Sequence, residues 1–186
     1  MPKIYVALAH YPVVNKNGDT IASALTNLDL HDISRAAKTY GVKSFYVVTP
    51  LADQKSLAEE IIAHWTNGAG ADYNPSRQSA LKLVRIKDSI TAVRDQIHGA
   101  TGEYPKTIVT CARKQPSSIG YEKIRSLLAD GRPYLLIFGT AWGLSEQLIT
   151  EADYVLAPIE GHAAYNHLSV RSAAAIILDR LLGEYI

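Results

Sequence analysis

The stretch from Tyr134 to Leu182 decides the fold. It reads YLLIFGTAWGLSEQ (134–147), ADYVLAPIEG (152–161) and NHLSVRSAAAIILDRLL (166–182). Two apolar runs, Tyr134–Phe138 and Tyr154–Ala157, are bounded by proline or glycine and predict buried strands. A loop containing glycine follows each strand, and Asn166–Leu182 predicts a helix with hardly any solvent-exposed face. Ligands collect at the carboxyl ends of parallel strands, so this stretch predicts a small-molecule pocket.

Outside this stretch, predicted strands alternate with predicted helices. The alternation predicts a mostly parallel sheet with helices on both faces, within one α/β domain. The segment Asn15–Asp19 predicts a turn or a mobile loop. Further strands are predicted at 4–9, 45–48, 81–86 and 106–111, and further helices at 27–40, 56–65, 89–98 and 121–129.

The composition places few limits on function. A chain of 186 residues is long enough for one domain with a sizeable core. Nineteen basic against eighteen acidic residues give a net charge of +1, which neither indicates nor excludes a nucleic-acid binder. The single cysteine, Cys111, suits a reducing compartment. No apolar run approaches the ~20 residues of a membrane span, so we expect a soluble, cytoplasmic protein.

Three segments carry a resemblance to a known family. Phe138–Ser145 resembles the second motif of the SPOUT methyltransferases, the trefoil-knotted enzymes that bind S-adenosylmethionine and mostly methylate RNA. Ala157–Ile159 together with Asn166–Val170 resembles the third motif, and Asn27–Val42 resembles the first. The resemblance therefore covers most of the chain. Within the family, the chain resembles the stand-alone relatives of the tRNA (guanine-N1) methyltransferase.

The resemblance implies a fold, a cofactor and partners. It implies a single SPOUT-like domain over residues 1–186, with a deep carboxyl-terminal trefoil knot and a cofactor region at about 108–182. It also implies S-adenosylmethionine as cofactor, a homodimer, and tRNA or rRNA as substrate, with base and ribose methylation both open. Two other functions are possible: a noncatalytic knot domain that binds the cofactor or RNA and regulates or positions a partner, and a plain doubly wound nucleotide-binding protein.

Cofactor-binding residues follow from the same resemblance. Three loops would supply backbone amides, carbonyls and an apolar slot for the adenosine, although the same residues also form ordinary turns after buried strands. Asn166 either holds its loop or caps the following helix. The candidates are Cys111, Ala112, Phe138, Gly139, Thr140, Trp142, Gly143, Ala157, Pro158, Ile159, Asn166, His167, Leu168 and Ser169.

Arg35, Arg113 and Asp29 are the candidate catalytic residues. Arg35 matches the arginine that the family's first motif places near the acceptor. Because an arginine stays protonated, the resemblance implies that Arg35 clamps a phosphate or stabilises a deprotonated acceptor, unless it is only a helix-surface charge. Arg113 would contact a phosphate or the acceptor base, unless it is simply solvated. Asp29 or Asp32 could accept a proton, and Asp32 could instead favour the helix N-terminus.

Trp142 and the remaining polar residues are less specific. Trp142 stands where many relatives carry an acidic residue, so it either stacks on a base or covers the pocket wall. His162 and His167 lack the partners of a metal site. A basic run could meet RNA phosphates or lie on a solvated strand edge and helix face; it comprises Arg77, Lys82, Arg85, Lys87 and Arg94.

Overall fold

A computed structural model describes residues 2–163 and 165–184. Seven parallel strands form one sheet in the order β5-β4-β1-β8-β6-β9-β7, and a two-stranded antiparallel hairpin, β2-β3, lies apart from it. The strands are β1 (Lys3–Ala9), β2 (Val13–Val14), β3 (Thr20–Ile21), β4 (Phe45–Val48), β5 (Val84–Lys87), β6 (Lys106–Thr110), β7 (Ser118–Ile119), β8 (Pro133–Gly139) and β9 (Tyr154–Leu156).

Eight helices are described between and after these strands. Five of them begin where the sequence supplies a capping side chain: Thr26 for the first, Asn74 for the fourth, Ser89 for the fifth, Ser145 for the seventh and Ser169 for the last. The helices are α1 (Asn27–Thr39), α2 (Ala52–Thr66), α3 (Ala69–Tyr73), α4 (Pro75–Leu81), α5 (Ile90–Thr101), α6 (Tyr121–Leu128), α7 (Glu146–Glu151) and α8 (Val170–Leu182).

Both faces of the sheet are buried, as the predicted alternation of strands and helices requires. Residues of α1, α6 and α8 form the core on one face, and residues of α5 and the hairpin form the core on the other. Because successive strand residues point to opposite faces, β1 contributes alternately to the two cores: Ile4, Val6 and Leu8 to the first, Tyr5, Ala7 and Ala9 to the second.

Strand order places the predicted loops side by side. Strand β8 lies between β1 and β6, with Ala9 opposite Gly139 and Val109 opposite Ile137. Strand β9 lies on the far side of β6, with Thr110 opposite Leu156. The carboxyl ends of β1, β8, β6 and β9 therefore meet at one edge of the sheet.

Two predicted features of the last helix are wrong. The helix begins at Val170 rather than Asn166, because the Ser169 side chain accepts from the Ser172 amide and acts as the N-cap. The helix also has a solvent-exposed stripe in the single chain, formed by Ser172, Ala175 and Asp179. The polar residues Ser172 and Asp179, two helical turns apart, mark this stripe in the sequence, but the high apolar content of the whole segment obscured it.

The strand predicted at 81–86 is displaced. Residues 75–81 form α4, which starts at Pro75 and is capped by the Asn74 side chain, so only Val84–Lys87 remains extended. Asn15–Asp19 is a turn, in which the Asn15 carboxamide oxygen accepts from the amides of Asn17 and Asp19. No helix in residues 2–163 and 165–184 is long and apolar enough to cross a membrane.

Candidate functional site

Three of the predicted cofactor loops come together at the carboxyl edge of the sheet. They follow β8 at Thr140, β6 at Cys111 and β9 at Ala157. The Thr110 hydroxyl donates to the Ile137 carbonyl at 3.1 Å, and the Ala157 amide donates to the Ile119 carbonyl at 2.9 Å. These bonds fix the starts of the loops that follow β6 and β9. The fourth segment, Asn166–Ser169, is exposed and leads into α8.

The first three loops have the character of an adenosine site. Cys111, Ala157, Pro158 and Ile159 are half-buried, which provides a partly apolar lining. Within the described chain, the backbone amides of Cys111 and Ile159 donate to no other residue, so both remain available to a ligand. Phe138 is fully buried, so its side chain belongs to the core and it can offer a ligand only backbone groups.

The turn after β8 is packed against the hairpin. The Trp142 amide donates to the Val14 carbonyl at 3.1 Å, and the Val14 amide donates to the Gly143 carbonyl at 3.0 Å. A Cβ at Gly139 would lie 2.7 Å from the Leu144 nitrogen. The missing side chain of Gly139, a predicted cofactor-binding residue, makes room for the protein's own Leu144.

The same turn holds an unfavourable backbone conformation. Ala141 has φ +51°, in the left-handed region that costs an L-residue about 1–2 kcal/mol. Gly143 has φ +111°, which suits glycine. Trp142, between them, is 68% exposed, so it does not serve as a covered wall of a pocket in the single chain.

A buried polar network joins β1, the hairpin segment and this turn. The Thr140 hydroxyl donates to the Ala9 carbonyl at 3.0 Å, so it accepts from the Ser23 hydroxyl. The Ser23 oxygen then accepts from Nδ1 of His10 at 3.0 Å. This assignment leaves the proton of a neutral His10 on Nδ1. Nε2 of His10 is buried and forms no hydrogen bond with any described residue.

Burial lowers the pKa of His10, and the nearby Asp29 carboxylate and Ala24 carbonyl oppose that shift. The lowered pKa agrees with the neutral ring in the network. Sequence reasoning missed His10 and Ser23 because they carry no motif. Only the fold places Ser23 beside Thr140, 117 residues away.

The predicted Asp29 is paired with a residue that sequence reasoning also missed. Nη1 of Arg171 lies 3.3 Å from Oδ1 of Asp29, and Nε of Arg171 lies 3.4 Å from Oδ2 of Asp32. Asp29 is buried. The ion pairs join the first turn of α8 to the first turns of α1, so Arg171 fixes the carboxylate that was predicted to act as a base.

The two predicted arginines lie on different parts of the surface. Arg35 is exposed on α1. Burial lowers the pKa of the neighbouring His31, and Arg77 and Arg35 lower it further, against the opposite effect of Asp32. Arg113 is exposed and lines a broad groove of ≈ 1180 Å³ together with Tyr11, Pro12, Lys114, Leu144 and Ser145.

The basic run does not form one patch. Arg77 lies over the Trp65 ring at 4.4 Å, Arg85 donates to the carbonyls of Lys82 and Val84, and Arg94 lies over Tyr104 at 5.7 Å. Strand β5, which carries Arg85, is an edge strand of the sheet. Among the residues that the structure describes, no cluster of three His, Cys, Asp or Glu could hold a metal ion.

Comparison with known proteins identifies the family of the chain and excludes one of the alternatives that the sequence left open. A family model described as SAM-dependent RNA methyltransferase matches residues 3–183. The chain belongs to this family. The resemblance to SPOUT methyltransferases is confirmed, and the reading as an unrelated nucleotide-binding protein is wrong.

Some relatives of this chain are longer proteins. A tRNA (guanine-N(1)-)-methyltransferase of Oleidesulfovibrio alaskensis is 45% identical over 181 residues, which are 97% of this chain and 42% of that protein. A protein of the same name from Nitratidesulfovibrio vulgaris matches to the same extent. The chain thus spans about two fifths of their length. An uncharacterized protein of Aquifex aeolicus is 37% identical, and the match covers 97% of this chain and 89% of that protein.

Solved structures confirm the fold class. A probable methyltransferase of Bordetella pertussis superposes with a TM-score of 0.63 at 15% identity, covering 97% of this chain and 94% of that one. An rRNA methyltransferase of Sinorhizobium meliloti with bound AdoMet gives 0.58 at 20% identity, covering 96% and 55%. At these identities the likeness concerns the fold alone.

Proposed function

We propose that this chain binds S-adenosylmethionine and transfers its methyl group to RNA, with tRNA as the substrate class. The observation that carries the proposal is the family match over residues 3–183. The convergence of three strand-end loops at one edge of the sheet supports it. The choice of tRNA follows the name of the longer relatives. We place this activity in the cytoplasm, where a lone cysteine remains reduced.

When bound, S-adenosylmethionine supplies a methyl group on a sulfonium sulfur; the carbon–sulfur bond breaks as a bond to a nitrogen or oxygen of the RNA forms. We assign the free amides of Cys111 and Ile159 to the adenosine. Asp29 is our candidate to accept the proton that the acceptor loses, because Arg171 holds its carboxylate in place at the start of α1. We assign Arg35 and Arg113 to RNA phosphates or to the deprotonated acceptor.

We also propose that the chain works as a homodimer and contains the trefoil knot. The stripe Ser172, Ala175 and Asp179 on α8 supports the dimer. Small residues allow two such helices to approach closely. An experimental trace of the backbone through residues 108–182 would test the knot, and sedimentation analysis would test the dimer.

A second candidate is a noncatalytic domain that binds the cofactor or RNA and assists another methyltransferase. One observation favours it: more than half of each longer relative lies outside the match, so the activity in their name could reside there. The presence of Trp142 in place of an acidic residue agrees with this alternative.

Calorimetric titration with S-adenosylmethionine, followed by transfer of a labelled methyl group to unfractionated tRNA and to rRNA, tests both candidates. Ala112→Trp places a large ring on an exposed residue of the loop after β6, and Ala63→Trp makes the same change on the exposed side of α2. We expect binding and transfer in the parent and in Ala63→Trp, and loss of binding in Ala112→Trp. Binding without transfer to tRNA or rRNA would favour the second candidate. Absence of binding to folded protein would refute the donor site.

A further inference from the structure

Among the described residues, six of the nine large exposed apolar side chains lie at the edge of the sheet where the proposed donor site lies; the other three, Leu57, Tyr73 and Tyr104, lie elsewhere. Trp142 is 68% exposed, Tyr165 77% and Tyr11 40%. They follow β8, precede α8 and follow β1, respectively. Leu28, Leu51 and Leu168 are also exposed there, at the starts of α1, α2 and α8. Concentrated apolar exposure of this kind marks a binding surface rather than ordinary scatter.

The turn that carries Trp142 is rigid. Its backbone is bonded to Val14 on both sides of the tryptophan, and the Gly143 amide donates to the Thr140 carbonyl at 2.9 Å. Ala141 keeps a left-handed conformation that only surrounding structure can maintain. The Trp142 ring is therefore held in solvent by a backbone turn whose conformation is energetically unfavourable at Ala141.

Cations without carboxylate partners lie nearby. The groove bordered by Leu144 and Ser145 of this turn is also lined by Arg113 and Lys114. Both are exposed, and neither lies within ion-pair distance of a carboxylate in residues 2–163 and 165–184. The acidic residues that line the groove are Glu146 and Asp153, and Asp153 is already paired with Lys106 at 2.7 Å.

A polyanion with flat, exposed rings fits this combination of aromatic faces and free cations. Unpaired bases stack on aromatic side chains whatever their sequence, while phosphates are held by arginine and lysine. The family match to RNA methyltransferases points to the same class of ligand.

We propose that Trp142 is a stacking platform for an unpaired base of the RNA substrate, with Arg113 and Lys114 contacting the flanking phosphates. This inference rests on the proposed function and specifies how its substrate docks. The Trp142 side chain holds the base in place and leaves the proton to another group.

Tryptophan fluorescence tests the proposal, because the chain has only two tryptophans. Trp65 is half-buried beneath the Arg77 guanidinium, and Trp142 is exposed. Titration of the full chain with single-stranded oligouridylate should quench the emission of the parent and of Trp65→Phe. Quenching should be absent in Trp142→Phe. The matching RNA duplex, whose bases are paired, should quench weakly.

Affinity measurements complete the test. Loss of one stacked base should weaken oligouridylate binding about 5- to 150-fold in Trp142→Ala, and Trp142→Phe should restore most of the affinity. Ala141→Gly, which relieves the left-handed strain and leaves the Trp142 ring in place, should give a smaller loss than Trp142→Ala.

Three results would overturn the proposal, and they have different meanings. If Trp142→Ala binds oligouridylate like the parent, the stacking role is wrong and the proposed function stands. If Trp142→Ala weakens S-adenosylmethionine binding and leaves RNA binding intact, Trp142 belongs to the donor site. If the parent binds S-adenosylmethionine but no RNA, both the stacking role and the RNA substrate are wrong.

Discussion

Replacing Arg171 with methionine would remove the cation that pairs with the buried Asp29. Only 6% of the Asp29 side chain and 31% of the Arg171 side chain are exposed. Breaking a fully buried ion pair costs about 3–5 kcal/mol. Because Arg171 is nearly one third exposed and the distance of 3.3 Å is long for a charged hydrogen bond, we expect a loss of about 2 kcal/mol.

Urea denaturation of four proteins measures this loss and assigns it. Arg171→Met, Asp29→Asn and the double variant form a cycle with the parent, and the double variant should be more stable than the sum of the single effects predicts, by about 1 kcal/mol. Asp32→Asn is the matched control, because that side chain is half exposed and its pairing should contribute less than about 1 kcal/mol. Additive effects, or a neutral Arg171→Met, would show that Asp29 does not depend on this arginine.

Two further predictions concern the same edge of the sheet. Gly139→Ala should destabilise the fold by about 1–3 kcal/mol, since the new methyl group meets the backbone of Leu144; thermal unfolding measures it, and an unchanged midpoint would contradict the packing argument. Burial lowers the pKa of His10 below the unfolded value of about 6.5, so folding favours the neutral ring. Its contribution to stability is complete above that pH and decreases as the pH falls towards the folded pKa. In urea unfolding, His10→Gln should reduce the loss of stability at low pH. Burial also lowers the pKa of His31, so His31→Gln should remove a separate part of the same loss. An unchanged dependence of stability on pH in both variants would refute the assignment.

Much of the fold could be predicted because its strands are buried on both faces. Such strands are mainly apolar runs, and β1, β4, β8 and β9 have this form, while β6 is apolar only at Ile108 and Val109. The two-residue strands β2, β3 and β7 carry too few residues to show a pattern. Strand β5 was placed too early, since the start of α4 depends on the Asn74 cap rather than on periodicity.

The parts of the candidate site that lie in sequence motifs could be predicted, and the parts that depend on contacts between distant residues could not. The three loops lie in recognisable segments, so their residues could be named from the sequence. The partner of Asp29 lies 142 residues away in the chain, and Ser23 meets Thr140 across 117 residues. No local pattern records such contacts. The roles of the named residues in binding and catalysis, and the knot, stay predictions.

A nearly neutral chain, with a net charge of +1, can still bind RNA, a polyanion, if the affinity depends on a few local contacts. Several cations are already paired with carboxylates, so the total charge says little about the groove. These cations are Lys55, Lys106, Arg132 and Arg171. With Arg113 and Lys114 as the main phosphate contacts, the logarithm of the affinity for single-stranded RNA should fall with the logarithm of salt concentration with a slope of about −1.4. Stacking on Trp142 would then supply much of the remaining affinity, which salt affects little. A much steeper slope in titrations between low and physiological salt would show that further cations bind phosphates, and that the groove is only part of the RNA surface.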